Sequence, residues 1–338
     1  MATKRPKHAT ITPIRVTLCA SLPPEIWINI FRYHTDLIHL WLTCRAVSPF
    51  IRACAEYAFA EHFLPCVQID FQLEKYNLGG KSKRPEVPVQ FVGLGKRGPD
   101  NAKGRGKKVG QGTGKEIAIF RDKRAKCDVG TSGQGKKAQQ EYERVMKRWE
   151  ENVRLSKPEM PNYIISVDGL INDTALPGLD IVLDKREIQL QWKPMLQLFF
   201  RECERLRALK TKWQRNTIKT IRENNRKVAK GEKLMPADYP VSMAAAEMEM
   251  RKEIRRARLR EHYANDEQMV WAIDSLKHFD NYGTAMGGSK AIKLNADLPG
   301  AGLGEKWFGS LNLVQELYLD EWSCMHRLDL KIETIRNA

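Results

Sequence analysis

Apolar residues recur at helical spacing through residues 22–65. In the stretch LPPEIWINIF, Ile26, Ile30 and Phe31 fall on one face of a helix. Pro24 suits the first turn of that helix, because an N–H group there has no partner within the helix anyway. The pattern therefore predicts an amphipathic helix that begins close to Pro24.

Two further helix starts follow in the same segment. Thr35 can cap the stretch DLIHLWLTCR, and Ser48 followed by Pro49 marks a third helix. Three short helices bury too little apolar surface to be stable alone. We therefore expect a three-helix unit at residues 21–65 that packs against the rest of the chain, against a partner, or against both.

Beyond this unit the spacing changes to that of short strands. Strands are predicted for CVQIDFQL, VQFVGLG, KEIAIFRD, NYIISVDGL (162–170) and LDIVLDKREIQLQW (179–192). The last of these segments is predicted to contain a hairpin turn at Asp184 and Lys185. Basic, glycine-rich sequence separates several of the segments and predicts disordered loops near residues 79–115 and 128–139.

Helical spacing returns after Pro194. Long helices are predicted from this proline onward, over residues 243–264 and over about residues 311–335. The expected fold is α+β and mainly helical. It joins the three-helix unit to a body at residues 66–338, which has a small sheet and long C-terminal helices.

Composition and charge narrow the class of protein. The chain of 338 residues has a formal net charge of +16 and a mean hydropathy of −0.50, which suits a soluble protein with acidic or nucleic-acid partners. No apolar run reaches the roughly 20 residues of a membrane span, so we expect no membrane partner. Residues 1–20 are typical of a flexible basic tail, in which KRPK at 4–7 could serve as a nuclear signal.

The seven cysteines are scattered along the chain and never form CxxC. This distribution argues against a zinc site and against a disulfide framework, and it favours a reducing compartment. We therefore expect a cytoplasmic or nuclear protein, or one found in both places.

Motifs for phosphate binding and catalysis are not matched. In VGQGTGKE, a Walker loop would need glycine at Val109, and Lys115 is followed by Glu116 instead of serine or threonine. The histidines form no HExxH or HxH pattern, and no serine lies in GxSxG.

Four aspartates cluster around the predicted sheet: Asp168, Asp173, Asp180 and Asp184. Paired carboxylates can perform acid–base chemistry, but such residues more often end turns or lie in solvent. We therefore predict a non-catalytic protein with no cofactor and no metal ion.

Basic segments support nucleic-acid binding as a further possibility. Residues 81–126 carry 14 Lys and Arg against 4 Asp and Glu, and basic helices are predicted at 201–233 and 251–260. Trp213 could stack on a base, although it also fits the apolar stripe of its own helix. Acidic residues interleave the helical charges, which suits a solvated face. We predict weak, nonspecific binding of nucleic acid.

The segment LPPEIWINIFRYHTDLIHLWLTCRAVSPFIRACAEYAF is similar to an F-box. The elements that carry the resemblance are Leu22, Pro23, Glu25, Ile26, Ile30, Asp36, Leu37, Leu40, Cys44, Arg45, Val47, Ser48 and Phe50. The link Tyr33–Asp36 is shorter than usual in the family, and His34 stands where an apolar residue is common. Pieces of the body, among them INDTALPGLDI and RKEIRRARLREHY, resemble the body of certain filamentous-fungal F-box proteins.

The resemblance implies a substrate-recognition adaptor of an SCF-type (Skp–cullin–F-box) ubiquitin ligase. Its helices would bind a Skp-type adaptor and, through it, a cullin–RING ligase, while the body would bind an unknown protein target. The implied contact residues are Leu22, Pro23, Ile26, Ile30, Phe31, Leu37, Leu40, Cys44, Val47 and Phe50. The alternative is a basic nuclear nucleic-acid-binding protein in which the F-box-like helices serve only as structure.

Overall fold

The computed structural model describes residues 22–73, 86–95, 116–124, 133–283 and 305–337. The chain divides into two compact units, Met1–His62 and Phe63–Ala338. We call them the N-terminal unit and the body. The boundary expected after residue 65 lies close to this division. The tail predicted at residues 1–20 lies outside the described residues, as does the predicted loop 79–115 apart from residues 86–95, which form a strand.

The N-terminal unit is mainly helical in its described residues. It contains α1 (Pro24–Arg32), α2 (Leu37–His39), a π-helical turn (Leu40–Cys44), α3 (Arg45–Val47) and α4 (Pro49–Ala58). Helix α2, the π-helical turn and α3 follow one another without a break and make up the second of the three predicted helices.

Local sequence signals account for the starts of these helices. Pro24 lies in the first turn of α1. The Asp36 carboxylate accepts a hydrogen bond from the His39 N–H at 3.0 Å, so the second helix is capped one residue later than expected. Ser48 Oγ accepts from the Ile51 N–H at 3.1 Å and caps α4 as predicted.

The described residues of the body include a seven-stranded antiparallel sheet. Its strands are β1 (Gln68–Gln72), β2 (Glu86–Gly95), β3 (Ile117–Asp122), β4 (Tyr163–Val167), β5 (Leu170–Asn172), β6 (Asp180–Val182) and β7 (Glu187–Gln191). Their order is β5-β4-β1-β2-β3-β7-β6. Each of the five segments predicted to be extended therefore contributes at least one strand.

The described helices of the body are long. They are α5 (Gly133–Arg154), α6 (Trp192–Ala229), α7 (Met243–His262), α8 (Glu267–Gly283) and α9 (Glu305–Arg336). Helix α6 includes Pro194 in its first turn, where proline removes no hydrogen bond within the helix. The fold is α+β and mainly helical, which confirms the predicted class.

Helices cover both faces of the sheet around β1 and β4. On one face, Phe71 of β1 packs against Trp149 of α5, with the ring centroids 5.8 Å apart. Side chains alternate between the faces of a strand, so Asp70 points to the other face, where its carboxylate lies 2.7 Å from Lys331 Nζ of α9. Ile164 of β4 lies on that second face and packs in a cluster that includes Leu328 of α9.

Helix α5 differs from the sequence-based expectation. Glycine-rich sequence predicts a loop at residues 128–139, but α5 begins at Gly133, and residues 128–132 lie outside the described part of the chain. The later residues of α5 supply the reason. Val145, Trp149 and Val153 recur every four positions and are buried, so a core-facing stripe supports the helix despite its glycines.

The predicted hairpin joins β6 to β7. A short 3₁₀ turn, Leu183–Lys185, precedes Arg186, which has a left-handed φ of 56°. The Arg186 guanidinium donates to the Asp122 carboxylate at 2.5 Å and to the Arg124 carbonyl at 2.7 Å. These bonds fix the hairpin to the end of β3.

Candidate functional site

Five of the predicted contact residues present large apolar side chains to solvent. Leu22, Ile26 and Ile30 recur every four residues and are 40%, 44% and 46% exposed. Ile26 and Ile30 therefore lie on one side of α1, and Leu22 lies two residues before the helix begins. We call these three residues the α1 face. Val47 and Phe50, at the junction of α3 and α4, are 65% and 42% exposed. The N-terminal unit therefore exposes apolar surface that a protein partner could cover.

The other predicted contact residues differ in exposure. Phe31, Leu37 and Leu40 are no more than 4% exposed. In this structure they form core and offer no surface to a partner, because the second helix turns Leu37 and Leu40 inward. Cys44 is half-buried, and burial raises the pKa of its thiol. Pro23 is exposed beside the α1 face.

Arg45 connects the second and third helices of the N-terminal unit. Its guanidinium lies 2.9 Å from the Glu56 carboxylate of α4 and 4.1 Å from the ring centroid of Trp41. Arg52 of α4 donates to the Arg45 carbonyl at 3.2 Å. Arg45 belongs to the F-box-like sequence, and in this structure its side chain stabilises the packing of α3 on α4.

The four clustered aspartates are not brought together into a catalytic pair. Asp168, Asp180 and Asp184 are exposed, and Asp168 lies in a tight turn with φ of 47°. Only Asp173 is buried, with 4% exposure. The expectation that such residues end turns or lie in solvent holds for three of the four.

Asp173 is the centre of a buried group of charges in the body. Arg258 donates to Asp173 Oδ1 at 2.9 Å, and Arg255 donates to Oδ2 at 3.1 Å. Arg258 also donates to Glu202 Oε2 at 2.9 Å, which accepts from Asn172 Nδ2 at 2.9 Å as well. We call these five residues the Asp173 cluster. It connects the end of β5 with α6 and α7.

The two carboxyl groups of the cluster respond differently to burial. Burial alone would raise the pKa of Asp173, but Arg258 and Arg255 outweigh burial and lower it to about 2. Burial raises the pKa of Glu202, and repulsion by the Asp173 charge adds to this rise. Arg258, which Glu202 shares with Asp173, acts in the opposite direction but does not outweigh them. An adjoining cavity of about 20 Å³ has room for about one water molecule. The cluster is therefore a structural ion network that encloses no space for a substrate.

The arginines of the basic helix predicted at residues 251–260 form ion pairs with acidic side chains. Besides the pairs in the Asp173 cluster, Arg251 lies 2.9 Å from Glu247, and Arg256 pairs with Glu321. Arg260 pairs with Asp274. These pairings remove the segment as a candidate for binding phosphates.

The basic helix predicted at residues 201–233 keeps unpaired cations. Among the described residues, seven exposed basic side chains of α6 have no acidic partner, and five of them follow one another along the helix: Lys212, Arg215, Lys219, Arg222 and Arg226. Their spacing of three and four residues places them on one side of the helix over a length of about 21 Å. We call this row the α6 basic ridge. Trp213, on the same helix, is half-buried.

Other sequence features lie largely beyond the described residues. Residues 96–115 contain most of the basic, glycine-rich stretch and nearly all of VGQGTGKE. Within the described part of the chain, no helix combines the length and the apolar character needed to cross a membrane.

Comparisons with protein-family models, with curated proteins and with solved structures found no match for this chain. The candidate site is accordingly defined by its own geometry. It consists of the α1 face together with the junction of α3 and α4.

Proposed function

We propose that this chain is a non-catalytic substrate-recognition adaptor of an SCF-type ubiquitin ligase. In this proposal the N-terminal unit binds a Skp-type adaptor and the body binds the target, in the cytoplasm, the nucleus or both. One observation carries the proposal. The α1 face exposes three large aliphatic side chains in a unit whose other helices are capped and whose inward residues are buried.

The exposed apolar surface is large enough to drive binding. Full burial of a Leu, Ile, Val or Phe side chain contributes roughly 1.5 to 3 kcal/mol. The α1 face, Val47 and Phe50 are 40% to 65% exposed. Each therefore retains about 1 kcal/mol, and the five together about 5 kcal/mol. A few central side chains usually carry most of such energy, and the aligned pair Ile26 and Ile30 is the best candidate.

The test is the double substitution Ile26→Asp with Ile30→Asp in the full chain, measured by binding to a purified Skp-type adaptor. Both side chains are exposed, so the variant should fold, whereas aspartate at the buried Leu37 would disrupt the core. We expect at least ~100-fold weaker binding, because apolar contact is lost and two carboxylates would be desolvated.

A matched control exists in the body. Ile218 and Ile221 of α6 are 49% and 44% exposed, close to the exposure of the tested pair. Ile218→Asp with Ile221→Asp should leave the affinity for the adaptor unchanged. Wild-type chain that does not bind the adaptor, or equal binding by the Ile26/Ile30 variant, would show the proposal to be wrong.

The α6 basic ridge favours a second candidate function, nucleic-acid binding. Five exposed, unpaired cations in one row can neutralise phosphates along a nucleic-acid backbone without reading its sequence. We infer a weak, salt-dependent interaction that could accompany the adaptor role.

Charge reversal tests this second function. Lys219→Glu with Arg222→Glu should reduce affinity for a mixed-sequence oligonucleotide and flatten its dependence on salt concentration. Arg144→Glu with Lys147→Glu on α5 is the control, since both side chains are exposed, basic and three residues apart. Equal losses in the two variants would show that net charge, and not the ridge, determines the binding.

A further inference from the structure

Three potential metal ligands converge at the link between α1 and α2. One donor atom each from His34, His39 and Cys44 lies within 4.8 Å of the other two. The two imidazole rings are stacked, with their centroids 5.6 Å apart and an angle of 18° between their planes. His34 and Cys44 are half-buried and His39 is exposed, so an ion could enter from solvent.

The π-helical turn accounts for the position of Cys44. Cys44 lies five positions after His39, and in a regular α-helix that spacing would turn the two side chains about 140° apart. Here the Arg45 N–H donates to the Leu40 carbonyl, a bond across five residues that widens the turn. The wider turn brings Cys44 back toward the side of His39. Single π-helical turns within α-helices often occur at functional sites.

Asp36 positions both histidines. Its backbone N–H donates to His34 Nδ1 at 3.1 Å, and its carboxylate accepts from the His39 N–H at 3.0 Å. This arrangement fixes the short link that brings the two rings together.

We propose that His34, His39 and Cys44 form a Zn²⁺ site in the N-terminal unit. Imidazole nitrogen and thiolate sulfur are the ligands that zinc prefers, at about 2.1 Å and 2.3 Å. The three donor atoms must therefore draw together by about 1 Å, which exposed and half-buried side chains can do. Binding replaces the thiol proton of Cys44, which passes to solvent, and His34 gives up its hydrogen bond from Asp36. Water occupies the fourth tetrahedral position.

The site would stabilise the short link between α1 and the second helix of the N-terminal unit. It connects the residues after α1 with two successive turns of the second helix, so it restrains the orientation of α1. Small helical units commonly depend on such a metal ion because their cores are limited. Cys44 is also one of the predicted adaptor contacts, but neither histidine is. His39→Gln therefore tests the metal site without changing a predicted adaptor contact.

Cobalt substitution tests the site in the full, reduced chain without any adaptor. Co²⁺ should bind one equivalent and produce the near-ultraviolet charge-transfer band of a cobalt thiolate, and Zn²⁺ should displace it. Cys44→Ser should abolish this band, and His39→Gln should weaken Zn²⁺ binding at least ~10-fold. Cys66→Ser, which alters an exposed cysteine outside the site, is the matched control and should change neither.

Hydrogen exchange separates loss of the site from loss of the fold. His39 is exposed, so His39→Gln should keep the metal-free exchange pattern of α1 and α4 while losing the added protection that Zn²⁺ gives the wild type. The proposal is overturned if wild-type chain gives no thiolate band, if Cys44→Ser retains the band, or if Cys66→Ser loses it.

Discussion

Replacing Asp173 with asparagine would remove the central charge of the Asp173 cluster while preserving its shape. The side chain of Asp173 is 5% exposed and that of Arg255 is 2% exposed, and the adjoining cavity has room for only about one water molecule, so bulk water cannot solvate the charges left behind. Asparagine can still accept one hydrogen bond. Arg258 would keep Glu202 as a counter-charge, but Arg255 would have no carboxylate partner among the described residues. We expect the body to be strongly destabilised.

The magnitude follows from the pKa of Asp173. Arg258 and Arg255, working against burial, lower this pKa from an ordinary 3.8 to about 2. Each pKa unit corresponds to 1.36 kcal/mol, so the charged form contributes about 2 kcal/mol at neutral pH. Breaking a buried pair also leaves cations without a partner, and such losses commonly reach 3 to 5 kcal/mol. We therefore expect Asp173→Asn to lower the free energy of unfolding by about 3 kcal/mol at pH 7.

The effect should depend on pH in a defined direction. The folded-state pKa of Asp173 is depressed, so its contribution is present above about pH 4 and is lost as the pH falls through about 2. Urea unfolding, followed by the fluorescence of the buried Trp149 and Trp192, measures the difference between variant and wild type at each pH. That difference should shrink between pH 4 and pH 2.

Asp184→Asn provides the comparison for this prediction. Asp184 is exposed and has no acidic or basic partner among the described residues, so its replacement should change stability by less than about 0.5 kcal/mol. The reasoning fails if Asp173→Asn is equally mild at pH 7. It also fails if the destabilisation remains the same from pH 5 to pH 2.

Three further substitutions probe local features of the fold. Ser48→Ala removes the side chain that caps α4 and should destabilise the N-terminal unit by about 1 kcal/mol, seen as faster hydrogen exchange in α4. Glu202→Gln should destabilise the body much less than Asp173→Asn at pH 7, because burial raises the pKa of Glu202 and makes its charged form less favourable. The wild type, unlike the variant, should gain stability as the pH falls through that raised pKa. Gly178→Ala should lower the urea midpoint, since φ is +67° and the added carbon would lie 3.2 Å from the Gln191 side chain.

The sequence predicted most elements of the fold because their signals are local. Ser48 caps a helix three residues away, and the β6–β7 hairpin is set by the residues between its strands. Two helices were exceptions: α8 was not predicted, and α5 was predicted in part as a loop. Its glycines indicate a loop, whereas Trp149, Val145 and Val153 support the helix only through burial against the body, which local propensity does not encode.

The Asp173 cluster could not be predicted from local pattern. Asp173 and Arg255 lie 82 positions apart, so their pairing depends on how the sheet and α7 assemble. One signal was nevertheless present. Arg255 and Arg258 lie between the buried Ile254 and Leu259 on α7, and arginines within an apolar stripe need buried acidic partners. The same reasoning would have removed residues 251–260 from the nucleic-acid candidates.

For the predicted adaptor contacts too, the sequence pattern gives the helical face but tertiary packing determines which side chains are buried. Ile26 and Ile30 recur at the spacing of one helical face, and Leu37 and Leu40 do so equally well, yet the first pair is exposed and the second buried. Helical periodicity identifies an apolar face but not what covers it. Exposure therefore separates the residues that could contact a partner from those that form core.

The N-terminal unit keeps its internal contacts apart from the surface proposed for docking. Arg45 of α3 pairs with Glu56 of α4, and the Ser48 side chain caps α4 itself. The α1 face makes none of these bonds. Ile26 and Ile30 can consequently be changed without removing these polar contacts. If docking and folding used the same residues, a loss of adaptor binding would carry no information about function; here the two can be measured separately.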